Sequence, residues 1–547
     1  MADSRADEII REHEQMVSAR GVWEEHWREI AERVLPRQNY FAATDKTEGE
    51  KRTEKVFDAT AGLALERFAA AMESMLTPRT QRWHKLKVTT PGLSDDPEIQ
   101  AYLDEVTEIL FQVRYSPKSN FASQAHENYM SLGAFGSGAL LIDDIVGVGI
   151  RYKSIHLSEI YFAENHAGVI DKVNRKFEFT ARQAAQRWGY DKVPEKVRTA
   201  LEKNPEQKFE FIHCVKPNMD RMAGRKDYMG MPFSSYYVST DTREILSASG
   251  YQSFPYAVSR YVTAPKEVYG RSPAMTVLPD IKMINEMSKT VMRAAHKIVD
   301  PPLLLQEDGV LQAFNTRPGA LNYGGVNERG EQMVRPLETG ARVDIGMDMM
   351  EQRRKVINDA FLITLFQILV EAPNMTATEA MLRAQEKGAL LAPTMGRQQS
   401  EMLGPMIERE LDILARAGIL PAMPEALAEM GGEIEIEYVS PLNRAQRAEE
   451  GVAILRTLEA VAPLAQIDPS VMMIFKPEEI ARELSEINGV PAKILRTKEE
   501  ISAMKEAQAE ESQAQQLLAA APVLSQSAKT LAETQAMSGQ VPAPLPL

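Results

Sequence analysis

The segment that most restricts the fold is "AFLITLFQILV", Ala360 to Val370. Read as a helix it is apolar almost all round, and such a helix has to be buried on every side. One domain can supply that burial, and so can packing between subunits. The segment continues a charged run with Asp348, Glu351, Arg353, Arg354 and Lys355, which gives one helix over 347–370. Beyond it comes "EAPNMTATEA". Pro373 biases Ala372 away from helix. Thr376 and Glu379 have capping-box spacing and start a new helix. The sequence therefore places a short bare loop, Glu371, Ala372, Pro373, Asn374 and Met375, between two long helices.

A matching helix lies upstream. Pro279 suits a first helical position and Asp280 the positive N-terminal end, and the run stops at Asp300-Pro301-Pro302. Ile281, Ile284, Val291, Ala295 and Ile298 form its apolar stripe. Lys282, Lys289, Arg293 and His296 fall within about 60° of one another at 100° per residue. This basic strip suits a solvated face near the helix C-terminus. The sharper alternative is a strip that faces a polyanion or an acidic neighbouring subunit.

Elsewhere the chain alternates by blocks. Residues 5–35 read as a helix with Trp23, Trp27, Ile30 and Val34 on a core-facing side. Residues 54–76 read as a second helix, ended by Thr77-Pro78. "DDPEIQAYLDEVTEILFQVRY" and "NFASQAHENYMSLGAFG" are two more. Strands follow in "GALLIDDIVGVGIRYKSI" and "KFEFIHCVKP", and "SSYYVSTDTREILSASG" is a hairpin turning at Thr240 to Thr242. "EIEIEYV" alternates as a strand with a carboxylate face, and helices run on to about 500. The tail from Lys505 has the composition of a disordered segment or a frayed helix. The fold class is α+β, mainly helical.

Composition narrows the chemistry. A net charge of −14 argues against a protein that grips duplex DNA by neutralising phosphates, though not against a surface that DNA passes without sticking. The acidic N-terminus lacks a signal core, and no apolar run reaches membrane length. The single cysteine, Cys214, rules out an internal disulfide or a cysteine-cluster metal site. No Gly-Lys-Ser/Thr phosphate loop occurs. "GAFGSG" (Gly133 to Gly138) follows a helix and precedes a strand, the reverse of a nucleotide cradle, and reads as a tight turn. Ser137 lacks a strand-to-helix elbow. Asp95-Asp96 and Asp143-Asp144 are adjacent pairs that a strand would point apart. His213 reads as a satisfied core histidine. No catalytic residue, metal ligand set or cofactor is expected.

An ordered series of segments carries a resemblance. "VFDATAGLALERFAAAMESMLTPRTQRWHKL", "FPYAVSRYVTAPKEVYGRSPAM" and "VDPPLLLQEDGVLQAFNTRPGALNYGG" look like the portal, or head-to-tail connector, proteins of short-tailed phages. So do "RPLETG", "MEQRRKVINDAF" and "NMTATEAMLRAQEKGALLAPTMGRQQSEMLGPMIERELDILARAGILP". The likeness spans roughly 20–440; no one motif is diagnostic, but their order is. It implies a homo-oligomeric ring, a dodecamer in the family, at one capsid vertex in the virion, made in the bacterial host cytoplasm. The ring passes double-stranded DNA without sequence preference. Its implied partners are the large terminase subunit, scaffolding and major capsid proteins and a tail adaptor, with no membrane and no enzyme activity of its own. The implied layout is a wing over 1–270, stem helices over 271–299 and 347–370, and a clip over 300–346. A channel loop over 371–375 follows, then a long wing helix and strand over 376–440, a crown over 441–504 and a tail over 505–547. Glu371 to Met375 would face DNA in the channel, and Phe361, Leu365 and Ile368 would pack between subunits. A structural capsid or tail-adaptor protein without a channel is the alternative.

Overall fold

A computed structural model describes residues 2–41, 49–90, 96–145, 147–222, 224–225, 227–305, 315, 317–323, 325–326, 329–338, 340, 342–364, 392–430, 434–439, 441–467, 474–487, 500–501, 504–505 and 507. They divide between two compact units. The first is drawn from Met1–Leu86, Val106–Ala422 and Ile436–Ala445, the second from Lys87–Glu105, Met423–Glu435 and Gln446–Leu547.

The chain begins with α1 (Ala2–Ala31), α2 (Thr60–Leu76), β1 (His84–Val88), α3 (Pro97–Arg114) and α4 (Phe121–Phe135). β2 (Ser137–Ile145), β3 (Gly149–Ile155), β4 (Ile160–Glu164) and β5 (Ile170–Thr180) follow, then α5 (Ala181–Trp188) and α6 (Glu195–Lys203). β6 (Lys208–Pro217), β7 (Phe233–Ser239), β8 (Ile245–Tyr251) and β9 (Tyr256–Arg260) complete two sheets, one ordered β3-β2-β9 and the other β4-β5-β6-β7-β8. The expected hairpin is β7–β8, with Phe233 opposite Tyr251.

β6 shows why the larger sheet needs cover on both faces. Its side chains alternate. Phe209 and Phe211 join Ala181, Ala184, Val197 and Ala200 of the α5–α6 pair in one core. Ile212 and Cys214 join Ala6 and Ile9 of α1 in another. His213 is buried, with Nδ1 2.7 Å from the Tyr256 hydroxyl and Nε2 3.0 Å from Ser235 Oγ. That is the satisfied core histidine expected. On α1, Trp27, Ile30 and Val34 beyond its end are buried as the spacing requires.

"GAFGSG" is the expected helix-to-strand turn. Gly136 ends α4 at φ +77°, with its N–H on Leu132 O at 3.0 Å. A Cβ on Gly136 would stand 2.3 Å from Gly270 O, so the two backbones touch. Ser137 Oγ accepts Gly270 N–H at 2.9 Å, a structural bond across that contact.

Short α7 (Pro273–Thr276) leads into α8 (Leu278–Val299). β10 (Leu303–Leu305) pairs antiparallel with β11 (Val334–Pro336), and α9 (Val343–Ala360) returns. Residues 392–398 are helical, a π-helical turn follows at Gln399–Leu403, and α10 (Gly404–Arg416) continues. The turn has a cause in the sequence. Pro405 lacks an N–H for the Glu401 carbonyl, and a proline inside a helix disrupts the ladder. The Gly404 N–H bonds to Gln399 O instead, which also accepts from the Tyr438 hydroxyl at 3.0 Å. The displaced turn brings Glu401 to Arg260, whose Nη2 lies 2.7 Å from Oε1. Gln398 Nε2 reaches Arg260 O at 2.7 Å.

The remaining elements are α11 (Glu425–Met430), β12 (Ile434–Tyr438), α12 (Pro441–Ile467) and α13 (Pro477–Ile487). β12 is the strand expected from "EIEIEYV". Within the second unit α12 approaches α13, where a Cβ on Gly451 would lie 3.3 Å from the Ile487 side chain.

Two helix borders differ from expectation. α2 begins at Thr60, not at 54. Asn285 Oδ1 takes the N–H groups of Phe57 and Asp58, and Asp58 Oδ1 takes that of Thr60, so these donors are used outside a helix. The helix expected over 347–370 begins at Val343 and ends at Ala360. Phe361 is fully buried, its ring 6.2 Å from that of Phe68 in α2, and Leu362 turns left-handed at φ +59°. Seating Phe361 in the body takes the backbone out of helix there. Residues 365–391 lie outside the described residues, and so does the expected disordered tail apart from 505 and 507.

Candidate functional site

α8 and α9 form an antiparallel pair in the first unit. α8 is about 33 Å long at 1.5 Å per residue. Gly346 permits close packing, since a Cβ there would stand 2.7 Å from Val291 Cγ2.

The N-terminal half of α8 and the facing part of α9 are fastened to two stretches of chain. Lys282 Nζ meets Glu29 Oε2 of α1 at 2.5 Å. Asn285 works from both ends of its amide: Oδ1 accepts from Phe57 and Asp58, and Nδ2 donates to Ile281 O at 2.8 Å. Ser288 Oγ donates to Phe57 O at 3.1 Å. From α9, Arg353 Nη1 meets Asp280 Oδ1 and Arg354 Nη2 meets Asp58 Oδ2, both at 2.8 Å. Burial works to raise the Asp58 carboxyl pKa, but hydrogen bonds from Thr60 and Arg354 outweigh it and hold that pKa below its usual range.

The other end is bare. Ile298 is 50% exposed and Val299 85%. Past the β10–β11 ladder, Leu321 and Tyr323 are 81% and 80% exposed. These side chains have no cover within the described chain.

The expected basic strip splits between the two ends. Lys282 is neutralised by Glu29, and Lys289 is half-buried with Nζ 5.3 Å from the Phe57 ring centre. Arg293 and His296 are exposed. Phe361 was expected between subunits, but its burial is spent within its own chain, against Phe68. Leu365 and Ile368 lie outside the described residues, as do Glu371, Ala372, Pro373, Asn374 and Met375.

The residues that do the fastening, Asp58, Asn285, Arg353 and Arg354, escaped sequence reasoning. One signal was present. Asn285 sits among Ile281, Ile284 and Ser288 on the buried face, where a polar residue has to meet another polar group.

A cleft of about 380 Å³ in the first unit is lined by Gln38, Tyr40, Gln124, Glu127, His156 and Glu159. Its carboxylates are already engaged, Glu127 with Arg37 and Glu159 with Arg175. Among the described residues no cluster of three His, Cys, Asp or Glu side chains could hold a metal ion. Among them, too, no helix is long and apolar enough to cross a membrane.

Comparison with known proteins matches residues 6–495 to the family described as bacteriophage head to tail connecting protein. The portal protein of Salmonella phage epsilon15 is 28% identical over 543 residues, covering 98% of this chain and 97% of its own. The probable portal protein of Bordetella phage BPP-1 is 28% identical over 524 residues, covering 95% and 93%. A solved structure titled "Neck of empty GTA particle computed with C6 symmetry" aligns with 72% of this chain and 84% of its own at 11% identity; its TM-score of 0.33 is too low to bear on the fold. With a match that runs through both units, the chain belongs to the bacteriophage head to tail connecting protein family.

Proposed function

We propose that the chain is a portal subunit, copies of which close into a ring at one capsid vertex and form the conduit for double-stranded DNA during packaging and ejection. The observation that carries this reading is the α8–α9 pair, anchored at one end and exposing Ile298 and Val299 at the other. A subunit alone leaves that apolar surface in water, and association with further copies removes it. In this reading 271–299 and 347–370, which hold α8 and most of α9, are the stem, residues 300–346 the clip and 1–270 the wing. Residues 371–375 are the channel loop, 376–440 the returning wing segment, 441–504 the crown and 505–547 the tail. A terminase supplies the energy for packaging, scaffolding and major capsid proteins surround the ring, and a tail adaptor follows it. The chain itself does no chemistry.

Negative-stain images of the purified chain test the proposal. A ring with a central hole is expected. Monomers or compact assemblies without a hole at high protein concentration overturn it.

A further inference from the structure

The two stem helices carry opposite charge on their outer flanks. On α8, Asp280 and Val291 face α9, because the first pairs with Arg353 and the second packs on Gly346. Lys289, Arg293 and His296 project about 180° from that side at 100° per residue, with the exposed Glu286 among them. On α9, Arg353 and Gly346 face α8. Asp344, Asp348 and Glu351 project roughly opposite to them, with Lys355 among them. One helix pair therefore has a basic flank on its α8 side and an acidic flank on its α9 side.

Both flanks keep charge to spare. Arg293 and Asp348 are exposed and make no ion pair among the described residues. Among the described residues Asp344 pairs with Arg342 at 2.9 Å and Glu351 with Arg354 at 3.4 Å, at exposed positions. Levels along the pair also agree. The Asp280–Arg353 and Val291–Gly346 contacts put Asp348 level with about Met287 and Asp344 with about Val291. At ~1.5 Å per residue Lys289 then lies between the two carboxylates, and Arg293 stands ~3 Å beyond Asp344.

We infer that the occupant of each flank is a second copy of this chain: Lys289 and Arg293 of one subunit face Asp344 and Asp348 of the next. Such a head-to-tail interface uses two different patches and can close into a ring. The inference rests on the ring reading above. It assigns the basic strip to a neighbouring subunit rather than to DNA, and it fits a conduit, since a duplex passing cationic rows would be held by each phosphate contact.

Charge reversal with a cross-linking control tests it. Lys289→Glu and Asp348→Lys should each lower the fraction of chain in rings at low salt at least several-fold, as measured by mass photometry. The double variant should restore most of that fraction. In a Lys289→Cys/Asp348→Cys variant, oxidation should give a ladder of covalent oligomers. The two positions lie on opposite flanks of one chain, and Cys214 is fully buried. Parent rings with no ladder and no rescue in the swap overturn this pairing and leave the ring reading standing. A parent that forms no rings overturns both.

Discussion

Glu410 of α10 binds Arg114 of α3 in an ion pair whose side chains are 1% and 0% exposed. Arg114 Nε donates to Glu410 Oε1 at 3.0 Å, Tyr152 donates to the same oxygen at 2.5 Å, and Arg114 Nη1 contacts His84 Nε2 at 2.9 Å. Since arginine only donates, His84 accepts there and is neutral; burial, then the nearby Arg114, drives its pKa well down. Removing one charge strands the other. Glu410→Ala should cost about 3–5 kcal/mol. Arg114→Met with Glu410→Leu should recover much of that loss. Urea unfolding followed by circular dichroism measures both; a single variant within 1 kcal/mol of the parent, on the order of an ordinary substitution, would refute it.

Backbone contact makes a second prediction. Gly270→Ala places a methyl group 2.1 Å from Gly136 O, so the segment leading into α7 and the α4–β2 turn have to part. Gly21, inside α1, has nothing within 4 Å. Gly21→Ala should stabilise by about 0.5–1 kcal/mol, while Gly270→Ala should lower the melting temperature sharply. Thermal melts of the two variants side by side decide the matter.

The third concerns pH. Burial is the main cause that lowers both His13 and His156 to about 4. The unfolded chain then binds protons between pH ~6.5 and ~4 that the folded chain refuses, so stability is full above that window and falls as the pH drops through it. The loss is on the order of 3 kcal/mol per histidine. His13→Gln should flatten the curve of melting temperature against pH between 7 and 4 relative to the parent. Superimposable curves would remove His13 from the account.

Phe361 supplies a fourth. Its ring fills space beside Phe68, so Phe361→Asp should damage the subunit before it can affect assembly. Insoluble or molten protein is expected, not folded monomers. Soluble, cooperatively melting monomers would show instead that the side chain acts between subunits.

A fifth rests on the proposed channel loop. Replacing Pro373 to Met375 with Gly-Ser-Gly should leave ring formation and DNA loading near normal, while filled heads lose nuclease-protected DNA faster. Full retention over the parent's time course would deny the loop a gating role.

Much of the secondary structure was legible because it is written in local period. The ends of α3 and α4 and the β7–β8 hairpin follow from residues within a few positions. What escaped depends on partners far along the chain. Lys282 looks like a free cation until Glu29, at the other end of the unit, is placed beside it. The late start of α2 reflects Asn285 taking donors that a longer helix would use itself. The π-helical turn is a partial exception: Gly404-Pro405 inside a helical run announces a fault, but not that Glu401 would be delivered to Arg260.

The fastening of α8 along only part of its length has a mechanical consequence. Its ties run from Asp280 to Lys289, and the ten residues beyond, Thr290 to Val299, project without them. A rod clamped at one end is a lever. A rotation of about 5° at the clamp would carry the tip of the ~15 Å overhang through about 1.3 Å. Small rearrangements around Asp58 and Glu29 would thus be magnified at the far end, and a load applied at that end would be felt first by the opening turn of α2.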